Sequence, residues 1–142
     1  MSQVTLDQAK AIIAGAFAKG QALALKPLSV AVLDPGGHLI AFERQDGAST
    51  LRHAIATGKA AGALALGVSS RKIGDIAAER PSFVGALNAI APAGVVPAAG
   101  GLIVVNANDA PLGAVGVTGD TSDNDELCAI AGIEAAELTY RP

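Results

Sequence analysis

The chain has 142 residues and a formal net charge of −3, with its ten Lys and Arg scattered, so it carries no basic stripe for nucleic acid. Hydrophobic residues make up 51% of it, yet no apolar run reaches the roughly 18–20 residues that span a bilayer, and a membrane protein is not expected. Charged residues are only 16% and the mean hydropathy is +0.44, unusual for so short a chain with so much surface to cover, which predicts self-association that hides apolar area.

Aromatics contribute 3% and tryptophan none, so the core is built from small aliphatic side chains that pack closely. The lone Cys128 cannot form an internal disulfide, which agrees with a reducing compartment. The opening MSQVTLDQAK has neither the basic n-region nor the apolar h-region of a secretory signal, and the expected location is the cytoplasm. Length and the absence of any linker-like tract predict one domain over 1–142.

In chain order, Thr5-Leu6-Asp7-Gln8 has the form of a capping box. Leu6, Ala9, Ile13, Ala16 and Phe17 then recur at helical spacing, with Lys26-Pro27 as the expected stop. SVAVLD (29–34) and HLIAFERQ (38–45) are rich in strand formers and flank Pro35-Gly36-Gly37, which predicts an antiparallel hairpin. From Ser49 or Thr50 to Leu66 the alanine-rich pattern is helical and nearly without a polar face, so this helix is expected to be covered on more than one side.

Ser69 or Ser70 caps a short third helix ending at Arg80-Pro81, and 81–90 reads as a fourth. APAGVVPAAGG (91–101) is a proline and glycine loop. GLIVVNA (101–107) and PLGAVGVTG (111–119) form a second hairpin, and Asp123 with Glu126 caps a last helix. Paired strands separated by grouped helices predict an α+β fold with a mainly antiparallel sheet and flanking helices.

Side chains alternate along a strand, so His38, Ile40, Phe42 and Arg44 are expected on one face of the second strand. His38 is the candidate metal ligand or proton shuttle, and Arg44 the candidate carboxylate grip, since a guanidinium meets a carboxylate with two parallel bonds. Hairpin capping by His38 and pairing of Arg44 with Asp46 are the plainer alternative. On the second helix His53 and Lys59 are six positions and so about 120° apart, which keeps them from facing one ligand together.

Lys59 reads either as an ammonium in an apolar cleft that holds anions or as a snorkelling side chain. The loop before Gly100-Gly101, and the run Gly113, Gly116, Gly119, leave main-chain donors unshielded for an anion or permit tight packing. Asp120, Asp123 and Asp125 do not follow the ligand order of an EF-hand. Cys128 falls in a first helical turn, where the dipole lowers a thiol pKa; a buried small residue is the other reading. Zinc spacing, a Walker loop and a G-x-S-x-G elbow are all missing.

Taken together, "SVAVLDPGGHLIAFERQDGA", "GKAAGA" at 58–63, "VPAAGGLIVV", "GAVGVTG" and "DNDELCAIAG" resemble the GlcG/HbpS family of haem-degrading domain proteins, in order and through nearly the whole chain. The resemblance implies a profilin-like domain that forms dimers or higher homo-oligomers and, in some members, binds haem or related tetrapyrroles; others are associated with organic-acid catabolism. By position it implies roles for His38, Arg44, Lys59, Gly100, Gly101, Asp125 and Cys128. At 97–103 the chain departs from the family's V-x-G-G-x-P-I pattern by lacking the later proline.

Two functions are therefore expected. In the first, haem or a flat anionic small molecule sits near a contact between identical chains, with His38 at the metal and Arg44, Lys59, Gly100 and Gly101 on its acidic groups. In the second, an enzyme (a tautomerase, isomerase or hydrolase) acts on small hydroxy or oxo acids, with His38 or Asp125 moving a proton beside the same cations.

Overall fold

The structure, a computed structural model, describes residues 2–142. Its elements are α1 (Leu6–Ala22), β1 (Ser29–Leu33), β2 (Leu39–Arg44), α2 (Arg52–Leu66), α3 (Ser70–Glu79), α4 (Pro81–Leu87), β3 (Gly101–Val105), β4 (Pro111–Thr118), α5 (Ser122–Ala135) and β5 (Thr139–Tyr140). The strands form one sheet in the order β2-β1-β4-β3-β5, every neighbour antiparallel. This is the expected α+β layering. Helices α1 and α5 pack on each other and on one face of the sheet, α2 covers the other face, and α3 joins α2 and carries α4.

Because both faces are covered, β1 and β3 are buried along their whole length, which is why SVAVL and GLIVV read as nearly unbroken apolar runs. Period-two alternation still sorts them. Val30, Val32, Leu102, Val104, Val115 and Val117 pack with Ile12, Ile13, Ala16, Cys128 and Ile133 under α1 and α5. On the other face Leu33 and Ala114 meet Ala60, and Ile103 and Val105 meet Ala63.

The two interfaces differ in depth. Against α2 the sheet presents Gly116 and Gly101, where an added Cβ would run into the carbonyls of Ala56 and Lys59, so helix backbone rests on strand backbone. Residues 56, 59, 60 and 63 recur at helical spacing to make this seat, and it explains the alanine-rich sequence. Glycine also lets α1 cross α5: a Cβ on Gly15 would stand 2.6 Å from that of Ala135.

Four boundaries differ from the expectation, each for a local reason. Helix α1 stops at Ala22 rather than at Lys26-Pro27, because Ala24 takes a left-handed conformation (φ 54°) and the amides of Ala24 and Leu25 donate back to the carbonyls of Gln21 and Gly20. That is a Schellman closure without glycine. Helix α5 is capped by Thr121, whose hydroxyl accepts from the Asn124 amide, and not by Asp123. Helix α4 ends at Leu87, and β5 is only two residues long.

A fifth difference bears on the site. Val32 pairs with Ala41 but Leu33 with Leu39, so β2 carries one extra residue in a bulge and the simple alternation from His38 to Arg44 is broken. His38 lies before β2, in the turn, and does not share a strand face with Arg44 as expected.

Candidate functional site

The β1–β2 turn is built by Asp34. Its Oδ1 accepts the amides of Gly36 at 2.9 Å and His38 at 3.0 Å, and Gly37 closes the turn with φ 87°. The same oxygen lies 3.2 Å from His38 Nδ1. The amide of His38 holds the Asp34 carboxyl below its ordinary value; burial, next in size, opposes it, and the Gly36 amide and the nearby imidazole add lesser lowering effects. An oriented imidazole results, its side chain 81% exposed and its Nε2 turned away from the carboxylate that holds Nδ1.

Pro35, Gly36 and Gly37 also form one wall of a pocket of about 220 Å³. Ala61, Leu64 and Ala65 of α2 and the loop 91–94 supply the rest. Gly36 belongs to both features, since a Cβ there would stand 2.9 Å from His38 Cε1. The pocket is apolar apart from main-chain groups, and its loop is the APAG stretch of the sequence.

Lys59 is placed elsewhere. Its ammonium is buried, donates to Val117 O at 3.0 Å and pairs with Asp125 Oδ2 at 3.1 Å. Asp125 Oδ1 accepts the Asp120 amide at 2.9 Å, so both carboxylate oxygens are engaged. Gly100 lies directly against this pair, because a Cβ there would be 2.9 Å from Lys59 Nζ. Burial pushes the Lys59 pKa down, while Asp125 pulls the other way.

The structure thus gathers Lys59, Asp125, Gly100 and Gly101 in one cluster under α2, puts His38 on the exposed turn, and leaves Arg44 exposed at the end of the edge strand β2. Arg44 lines an open cleft of about 630 Å³ with Phe17, Gln21, Lys26 and Glu43, not the pocket beside His38. From His38 to Arg44 the strand runs roughly 15–20 Å. His53 is exposed and packs edge-on against Phe42 with ring centres 4.7 Å apart.

Sequence reasoning missed Asp34, whose orienting role the D-P-G-G spacing of an Asx turn could have signalled, and the pocket loop 91–94, which has no chemical signature. Cys128 is buried on α5, in its second turn rather than the first, and burial pushes its thiol up to about 11, so the buried small residue is the reading that holds. We expect no reaction of native Cys128 with a thiol reagent at pH 8 and full reaction after unfolding in guanidinium, followed by absorbance. Among the described residues no group of three or more His, Cys, Asp or Glu could hold a metal by itself, and no helix is long and apolar enough to cross a membrane.

Two half-buried carboxylates report on acid stability. Hydrogen bonds from Asn124 and from the Thr121 and Lys26 amides lower the Asp120 pKa to about 2 from 3.8, and that of Asp34 is lowered as described. A carboxyl lowered on folding adds stability that is complete above its unfolded value and is lost as pH falls through the folded one. Thermal melts should show Tm falling between pH about 4 and 2, less steeply in Asp120→Asn.

A five-stranded antiparallel sheet between helical layers, with an oriented histidine on its first hairpin and a buried Lys–Asp pair, defines a class of small α+β proteins. The model of the haem degrading protein HbpS-like family matches residues 4–134, and the chain belongs to that family. A double mutant of Streptomyces reticuli HbpS is 30% identical, with 98% of this chain and 89% of that one covered and a TM-score of 0.80. Klebsiella pneumoniae protein ORFY is 26% identical, covering 96% and 92%, with a TM-score of 0.85. A PduOC:heme complex shares the fold at 20% identity, covering 99% of each chain with a TM-score of 0.86. No curated protein matches the chain by sequence.

Proposed function

We propose that this protein binds haem, or a similarly flat anionic small molecule, at the β1–β2 turn, with His38 as the donor to the metal. One observation carries the reading. The carboxylate of Asp34 holds His38 Nδ1 and leaves Nε2 available, and residues 35–37 of the same turn, next to His38 in the chain, form a wall of an apolar pocket. Haem iron needs an axial donor and a dry slot, and a second-shell carboxylate raises the basicity of a ligating imidazole. The crystallised haem complex of PduOC, a protein of the same fold, supports the ligand class.

The residues fit this group in chemistry, and the pocket fits only part of it. About 220 Å³ is below the roughly 300 Å³ at which small-molecule sites begin, so the slot takes one edge of the macrocycle. We assign the remaining cover to a second copy of the chain. Leu39 at 51% exposure beside His38, and Ile90 at 78% beside the pocket loop, are the apolar residues such a contact would hide. Light scattering on a size-exclusion column should therefore give a mass at least twice that of the chain.

Bound there, haem would supply an iron centre able to take a further ligand or exchange electrons; this chain's residues hold it and exclude water from one edge. Lys59, Asp125, Gly100 and Gly101 take the part of a frame that fixes α2 over β3 and β4. The alternative of a hydroxy- or oxo-acid enzyme has less support, because Asp125 has both oxygens engaged and His38 lies on a different part of the molecule. The buried free thiol agrees with a cytoplasmic location.

Hemin titration tests the proposal. A Soret band should grow to saturation with the wild-type chain, His38→Ala should abolish it, and Asp34→Asn should weaken it by about 10-fold or more. An unchanged band in His38→Ala would end this assignment.

A further inference from the structure

A second place on the same sheet face has the makings of an anion site. Arg44, Ser29 and Thr118 are direct register partners across β2, β1 and β4, so their Cβ atoms point to the sheet face that α2 covers, with Arg44 at the open edge where it also borders the cleft beside α1. Arg52, the first residue of α2, reaches this row, and its Nη1 donates to Thr118 Oγ1 at 2.8 Å.

Three features of the row are unspent. The hydroxyl of Ser29 is buried and has no hydrogen-bond partner, a costly state for a polar group. Arg44 makes no ion pair or side-chain hydrogen bond among the described residues, and Arg52 uses one of its five donors. Asp125 is committed to Lys59, and Arg52 lies close enough to that ammonium to disfavour its charge, so Arg52 has no carboxylate of its own there.

We infer that a small oxyanion, carboxylate or phosphate, binds between Arg44 and Arg52, with the Ser29 and Thr118 hydroxyls beneath it. Two guanidinium forks approaching from strand and helix suit an oxyanion with two or three oxygens in one plane, and the orphaned serine gains its missing acceptor. Its place is separate from the proposed haem slot. Arg52 begins α2, whereas Ala61, Leu64 and Ala65 lie roughly 14–20 Å further along the helix axis.

Thermal melts in sodium phosphate or sodium malonate, against sodium chloride at equal ionic strength, test this site. Phosphate and malonate together distinguish an inorganic from an organic source. Wild-type Tm should rise saturably with at least one of them, by several degrees at about 100-fold excess over the dissociation constant. Arg44→Gln, an exposed residue whose loss leaves the fold intact, should abolish the rise, as should Arg52→Gln. Ser29→Ala should melt no lower than wild type in chloride, since it removes an unsatisfied hydroxyl, and yet respond less to the oxyanion.

His38→Ala should keep the full oxyanion response, so this site and the haem site succeed or fail separately. No saturable rise with either salt, or an undiminished rise in Arg44→Gln and Arg52→Gln, overturns the inference.

Discussion

Lys59→Met should lower the stability of the protein by about 3–5 kcal/mol, and its Tm by roughly 10–20 °C. The substitution keeps the length and apolar stem of the side chain and removes only the charge, so packing against Gly100 and Gly101 changes little. What it leaves behind is Asp125, buried, with Oδ2 deprived of its partner. Val117 O loses a donor at the same time.

The companion variants identify the cause. If the loss comes from the stranded carboxylate, Asp125→Asn should recover much of it in the Lys59→Met background, because a neutral amide can still accept from Asp120 and no longer demands a counter-ion. Urea unfolding of the four proteins gives the coupling directly. Equal and additive losses would mean that packing around Lys59, rather than the ion pair, holds α2 to α5.

The second large effect is expected at Gly116. Alanine there would push its Cβ into the carbonyl of Ala56, with the carbonyl carbon at 2.9 Å and the Ala60 amide at 3.1 Å, none of which is the movable end of a side chain. Helix α2 must lift from β4 to make room. Overpacking that only side chains absorb costs about 1–3 kcal/mol; displacement of a whole helix should exceed about 3 kcal/mol.

Gly85→Ala is the matched control. A Cβ at that position of α4 meets nothing within 4 Å, so the change should be neutral or stabilise by up to about 1 kcal/mol through helix propensity. Urea denaturation of both variants separates crowding at residue 116 from any general intolerance of glycine replacement. A Gly116→Ala protein as stable as wild type would show that α2 is not seated backbone to backbone.

Much of this arrangement was legible from residues alone, because periodicity and caps are local. Thr5 with Gln8, the alternating valines of β1 and β4, and the nearly featureless alanine face of α2 each point to one conformation. Element β5 was not legible, since two residues cannot display a period. The end of α1 was misjudged because Ala24, with no glycine or asparagine to announce it, adopts a left-handed turn.

The site was less legible than the fold. Simple alternation puts His38 and Arg44 on one strand face, and only the register of β1 against β2 reveals the extra residue that separates them. Lys59 on an apolar helix looked available to a ligand, and its partner Asp125, 66 positions later, becomes apparent only when α5 docks. The row of Arg44, Ser29, Thr118 and Arg52 comes from four segments and has no sequence signature at all.

Helix α2 rests on the strands backbone to backbone at Gly101 and Gly116. A helix cushioned by long side chains can slide by rotamer exchange, whereas one resting on bare peptide groups has nothing to rearrange and must move, if it moves, as a stiff beam with the strands below it. Pressure applied at Arg52 would then reach Leu64 without being absorbed on the way.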